Sequence, residues 1–206
     1  MKSNLFSTLY VIAAPSGGGK TTVVKKLLEG DPLLDVSISH TTRAMRPGEI
    51  SGKDYFFITP ERFQAMVEQG DFLEHALVFK HHYGTSKEQV LAPLEQGLDV
   101  ILEIDWQGAL SVRTLFSNVV SIFIAPPSYE VLRERLRERG QDPGSTIDYR
   151  VMKAKEEMQH IQEFDFLVFN DTFDTCVREI QAIIQAHRLK RALQCQKHKE
   201  RLSKLL

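Results

Sequence analysis

The chain has 206 residues, enough for one domain with a sizeable core. Apolar residues make up 42% and charged residues 26%, and the formal net charge is −1, so the molecule as a whole does not attract nucleic acid or an anionic membrane. Cys176 and Cys195 lie far apart and make no metal or redox motif, and the apolar run Leu9 to Ala14 is too short for a signal core or a membrane span; a cytoplasmic protein is expected.

In chain order, "LYVIAA" reads as a buried strand ended by Pro15 and glycines. "KTTVVKKLLEG" reads as a helix with Val23, Val24, Leu27 and Leu28 on one stripe and Gly30 as a stop. "VSISHTTR" and "GKDYFFIT" read as strands. In "TPERFQAMVEQG", Thr59 is the N-cap, Pro60 opens the helix and Gly70 closes it. "FLEHALVF" is a strand, and Ser86 with Gln89 suggests a capping box for a helix to Gln96. Then strands "DVILEI" and "VVSIFI" alternate with helices "WQGALSVRTLF" and "SYEVLRERLRERG", the latter capped by Ser128. "QDPGST" reads as a loop, mobile by its composition, followed by helix "IDYRVMKAKEEMQHIQ", strand "FDFLVFN" and one long helix from Phe173. Continuous apolar strands alternating with helices predict an α/β fold with a parallel sheet covered on both faces. Residues 37–86 break the alternation and read as an inserted lobe of a single domain.

Between the first strand and the first helix stands "AAPSGGGKTT". The spacing fits G-x-x-x-x-G-K-[ST] except that Ala14 takes the first glycine position. Strand before and helix after are the context that a phosphate loop requires. Gly17, Gly18 and Gly19 let backbone N–H groups approach an anion, Lys20 would reach β- and γ-phosphates, and the Thr21 hydroxyl would meet Mg²⁺. An alanine at the strand exit need not demand a positive φ. In the lobe, "SHTTRAMRPGEISGKDYFF" gathers Arg43, Arg46, Lys53 and Tyr55 with the hydroxyls of Ser39, Thr41 and Thr42, a composition suited to a phosphate.

These stretches, together with "FLEHA", "YGTS", "IDWQGA" and "RGQD", resemble guanylate kinase of the bacterial kind, in order and spacing from about Tyr10 to Arg191. The resemblance implies a P-loop NTPase-type parallel sheet core flanked by helices (1–36, 87–133 and 151–206), with an inserted mixed β/α GMP-binding lobe (37–86) and a lid (134–150). It implies transfer of the γ-phosphoryl of ATP to GMP or dGMP with Mg²⁺, in purine metabolism. Ala14, Pro15, Ser16, Gly17, Gly18, Gly19, Lys20, Thr21 and Thr22 would bind ATP, with Asn170 near its adenine. Ser39, Arg43, Arg46, Tyr55, Glu74, Tyr83, Thr85 and Asp105 would line the GMP site; Glu74 and Asp105 would accept from guanine N1–H and N2–H₂, where adenine offers a lone pair instead. Lys20, Arg43, Arg135, Arg139 and Arg150 would be catalytic, the last three closing from the lid. Read without the resemblance, Glu74 is equally an exposed strand residue, Asp105 a helix cap, and "LRERLRERG" a charged face over Leu132 and Leu136.

Some positions depart from the family pattern. Glu103 stands where aspartate is common, "KHHYGT" replaces a pattern close to "GNYYGT", and "NDT" at Asn170 to Thr172 replaces Asn-Asp-Asp. His75, His81 and His82 have no metal-binding spacing, and the basic C-terminal segment reads as a solvated helix, with an oligomer contact left open. The rival functions are a kinase for another nucleoside monophosphate and a non-catalytic module of the same fold that binds protein. Neither nucleic acid nor membrane is expected as a partner.

Overall fold

The computed structural model describes residues 7–78, 80–116, 118–138 and 144–206. Leu9–Ala13 (β1) has no polar break and is buried throughout. Such a strand needs partners on both edges, and it has them in Asp99–Glu103 (β7) and Val119–Ala125 (β8), both parallel to it. Leu34–Ser37 (β2) pairs with β7 and Phe166–Phe169 (β9) with β8, giving a parallel sheet of order β2-β7-β1-β8-β9. Side chains alternate across β1: Tyr10 and Ile12 pack with Lys20–Gly30 (α1) and Phe173–Arg188 (α7). Leu9 and Val11 pack on the opposite face with Lys87–Glu95 (α3) and Trp106–Leu115 (α4).

The lobe carries a second, mixed sheet of order β4-β3-β6-β5, from His40–Thr41 (β3), Phe56–Phe57 (β4), Phe72–Val78 (β5) and His81–Ser86 (β6). Pro60–Gln69 (α2) packs on it through a small core of Phe63, Met66 and Phe72. Thr59 Oγ1 caps α2 by accepting from Arg62 N–H, and Gly70 ends it at φ 69°. Tyr129–Glu138 (α5) and Gly144–Met158 (α6) share the core Leu132, Leu136, Ile147, Val151 and Ala154. Ser128 caps α5 by accepting from Val131 N–H.

Four sequence readings change. "VSISHTTR" is not one strand: Ser37 ends β2 in the parallel sheet and His40 begins β3 in the other. Apolar periodicity cannot show that a chain leaves one sheet for another. "GKDYFFIT" is strand only at Phe56–Phe57, because Gly52 and Asp54 fold back in a turn with Gly52 N–H donating to Tyr55 O. Of the loop "QDPGST", Gly144 to Thr146 are the first turn of α6, and 141–143 lie outside the described residues. The final helix is broken into α7, Arg191–Lys197 (α8) and Lys199–Ser203 (α9), although no glycine or proline marks the break. At that break Gln194 Nε2 donates to Arg188 O, while the Arg188 side chain is held by Asp31 and Asp99.

Candidate active site

The loop from Ala14 to Gly19 leaves the C-terminal end of β1 and turns into α1. Its shape depends on two glycines with positive φ, Gly17 at 91° and Gly19 at 94°. A Cβ on Gly17 would come within 3.1 Å of Leu132 and Leu136 of α5. Among the described residues Lys80 is the one non-glycine with positive φ, so Ala14 has an ordinary backbone and needs no glycine. Gly19 occupies the N-cap of α1 without a side-chain cap, which leaves first-turn N–H groups for an anion. Asn170, 5% exposed, braces the loop: its Nδ2 donates to Gly18 O at 2.8 Å, and its own carbonyl accepts from Arg135 Nη2 at 3.1 Å.

Lys20 and Thr21 stand on the first turn of α1, facing the end of β7. Lys20 Nζ donates to Ile104 O at 3.2 Å, and Thr21 Oγ1 to Glu103 Oε2 at 2.9 Å. A hydroxyl beside a carboxylate at the mouth of a phosphate loop is a set of hard oxygen donors suited to Mg²⁺.

From the loop a cleft of about 780 Å³ runs to the lobe. Ala14 through Thr22, Ser39, Arg43, Arg46, Tyr55, Glu74, Tyr83, Asp105 and Arg150 all line it. Arg43 is held in place by both oxygens of Glu49, at 2.7 and 3.0 Å, and lies over the Tyr55 and Phe57 rings at 5.4 and 5.5 Å. Burial alone would raise the Glu49 carboxyl, but Arg43 and the Arg46 N–H bring it below the usual range. Tyr55 packs edge-on against Tyr83, and burial pushes its hydroxyl up to about 12, so it stays protonated and able to donate.

At the far wall Glu74 is 8% exposed and accepts from Thr85 Oγ1 at 2.5 Å. Thr85 itself is buried behind Glu74 rather than lining the cleft. Asp105 caps α4 by accepting from Gly108 N–H at 2.9 Å, so its helix-capping reading holds, and it still faces the cleft. Gly108 makes room for the carboxylate, since a Cβ would stand 2.8 Å from Glu74 Oε2 and displace it. Burial, with the nearby Asp105 charge adding, pushes the Glu74 pKa up to about 7, against the Thr85 hydrogen bond. The two acids present acceptors to one region, which suits a ligand edge with adjacent N–H donors.

Arg135 and Asn170 sit behind the loop rather than on the cleft, and Arg139 lies outside the described residues. Among the lining residues not singled out from the sequence are two acids, Glu49, although it sits inside the quoted "RPGE", and Glu157, seven residues after Arg150 and hence on the same helical face. His75 and His82 pack against Phe63 in the lobe.

The family model described as guanylate kinase matches residues 6–187. A guanylate kinase of Legionella pneumophila (strain Lens) is 50% identical over 206 residues, covering 100% of this chain and 99% of its own length. One from Alkalilimnicola ehrlichii is 55% identical over 186 residues, covering 89% of this chain and 92% of its own. Among solved structures, the crystal structure of guanylate kinase from Anaplasma phagocytophilum is similar, with a TM-score of 0.77 and 34% identity over 91% of this chain and 89% of that one.

Proposed function

The chain belongs to the guanylate kinase family, and from that premise we infer that it is a nucleoside monophosphate kinase transferring the γ-phosphoryl of ATP to GMP, giving ADP and GDP. The observation that carries the reading is that a phosphate loop and the acid pair Glu74 and Asp105 open onto one cleft. GMP or dGMP lies in the lobe, its phosphate against Arg43, Arg46, Tyr55 and Tyr83, its guanine N1–H and N2–H₂ donating to Glu74 and Asp105. Ser39 supplies a hydroxyl at the base, and Thr85, behind the cleft wall, orients Glu74 by donating to it. The ATP phosphates lie on the loop with Lys20 reaching β and γ, and Asn170 serves the donor site from behind, by bracing the loop through Gly18 O.

A nucleotide phosphate is already a nucleophile, so no general base is required; alignment and charge neutralisation carry the catalysis. Arg43 brings the acceptor phosphate in a fixed orientation, because Glu49 and two aromatic rings hold it before substrate arrives. Arg150, which lines the cleft, stabilises charge on the transferring group; Arg135, bonded to the Asn170 carbonyl behind the loop, and Arg139 would join it only when the lid closes, which also keeps water from the donor. Thr21 and Glu103 would hold Mg²⁺ on the phosphates; the ion supplies neutralisation of phosphate charge. The reaction belongs to GMP recycling in purine metabolism, in the cytoplasm.

A carboxylate pair repels the N1 lone pair of adenine, which argues against an AMP kinase. A non-catalytic module would not need Lys20, Thr21, Arg135 and Arg150 together. The test is turnover of GMP, dGMP, AMP and UMP with ATP, with and without Mg²⁺. GMP is expected to be the preferred acceptor, and Lys20→Ala to lower turnover by on the order of 10²–10³ while GMP still binds. Near-normal turnover in that variant would refute the assignment of the loop.

A further inference from the structure

Trp106, the chain's only tryptophan, opens α4 directly after Asp105, the cap of that helix and an acid of the cleft. Further along α4, Ala109 and Val112 are buried in the core on one face of the parallel sheet. The head of the helix has a different support. The His160 ring lies flat on the Trp106 ring, with 3.5 Å between centroids and 7° between planes. Rings so close are in contact across their faces, so a displacement of one carries the other. His160 is itself held: Nδ1 donates to Glu163 Oε1 at 2.8 Å, and its backbone carbonyl accepts from Glu163 N–H at 3.0 Å. On either side of it, Met158, Ile161 and Phe164 pack on Ala13, Phe123 and Ala125. Ala13 and Ala125 end β1 and β8, and the phosphate loop leaves β1 at that point. The bond from Gly108 N–H fixes the Asp105 carboxylate within α4, but it does not fix α4 within the molecule.

We propose that His160 is a positioning residue for guanine recognition: by holding Trp106 it sets the first turn of α4, and with it the direction in which Asp105 meets the base. The inference rests on the reading of Asp105 as a guanine acceptor. The stack ties the turn that reads the base to the segment seated beside the phosphate loop. One ring contact thus keeps the acceptor base and the donor site in register.

GMP is titrated calorimetrically into the full chain without ATP, ATP is titrated separately, and Trp106 emission is followed in both. His160→Ala is expected to weaken GMP binding by about 5–10-fold, as a misaligned hydrogen bond would, and to shift Trp106 emission to the red as the indole face meets water. His160→Leu keeps the bulk without the flat ring and should lose as much. His160→Phe keeps a ring on Trp106 and should bind GMP within about 2-fold of the unaltered protein. ATP affinity should stay within about 2-fold in all three, because the loop and not α4 holds the donor phosphates. Asp105→Asn keeps a helix cap but loses the charge. In that background His160→Ala should cost less than about 2-fold more, since it acts through Asp105. Equal losses of ATP and GMP binding, or a normal GMP affinity in His160→Leu, overturn the proposal. A full further loss in the Asp105→Asn background also overturns it; each of these marks the stack as a structural contact only. So does emission that ignores His160→Ala, because the rings would then not be stacked in solution. If Asp105→Asn alone binds GMP normally, the base-reading assignment fails and the proposal falls with it. If Asp105→Asn weakens GMP binding and the His160 variants do not, that assignment stands and the proposal fails.

Discussion

Glu74 shows how one side chain can work against stability while serving recognition. Its pKa is raised from the ordinary carboxylate value, 4.5, to about 7, first by burial and then by the Asp105 charge. A carboxyl with a raised native pKa binds more protons folded than unfolded between those values. Stability therefore falls as pH climbs from 4.5 to about 7, and the cost is complete above that range. Glu74→Gln removes the charge but keeps an acceptor for Thr85 Oγ1. The variant should be more stable at pH 8 by up to ~3 kcal/mol, with the difference vanishing below pH 5, as read from urea unfolding across that range. It should also discriminate less between GMP and AMP. A variant with no gain at pH 8 would mean that Glu74 is not desolvated. The carboxylates were legible in the sequence through their motifs. Their burial was not, because it depends on Thr85 and Gly108, which come from a different strand and a helix.

The elements were legible where one period held for a whole segment. The strands β1, β7 and β8 and the capped helices α2 and α3 follow from apolar runs and from Thr59, Gly70 and Ser86. They were not legible where tertiary partners decide, as at the crossing between β2 and β3 or the end of α7. The turn between β5 and β6 is a third case. Lys80 there takes φ 69°, a left-handed conformation that costs a residue with a Cβ about 1–2 kcal/mol. In "KHHYGT" this left-handed position is held by lysine and not by glycine. Lys80→Gly should therefore stabilise the protein by about 0.5–1 kcal/mol, because relief of strain exceeds the added freedom of the unfolded chain. For a chain of this size that is a rise in Tm of roughly 1–4 °C, measurable by calorimetry. A fall in Tm would show that the lysine side chain contributes more in place than its backbone costs.

At the scale of the molecule, two sheets with separate cores are bridged by the cleft. The parallel sheet has large cores on both faces, whereas the lobe rests on Phe63, Met66 and Phe72. The Lys25–Asp54 ion pair that joins α1 to the lobe is 3.4 Å long with the lysine side chain 59% exposed, and such pairs add little. The sequence marked the lobe by its run of strands, but not the strand order β2-β7-β1-β8-β9, which places the loop, Glu103 and Asp105 at one end of the sheet. Because the lobe has the smaller core, it should open locally at a lower free energy than the parallel sheet. Amides of β5 and β6 should then exchange with solvent faster than those of β1 and β8 in the free protein. GMP held by Arg43 and Tyr83 of the lobe and Asp105 of the core would bind only when the two are together. At 100 times its Kd, GMP should slow exchange in β5 and β6 by about 100-fold, since every opening of the lobe must first release the ligand. Hydrogen exchange followed by mass spectrometry resolves the two sheets separately. Slowing confined to the loop and α1, with β5 and β6 exchanging as before, would place GMP on the donor side and remove the lobe from acceptor binding.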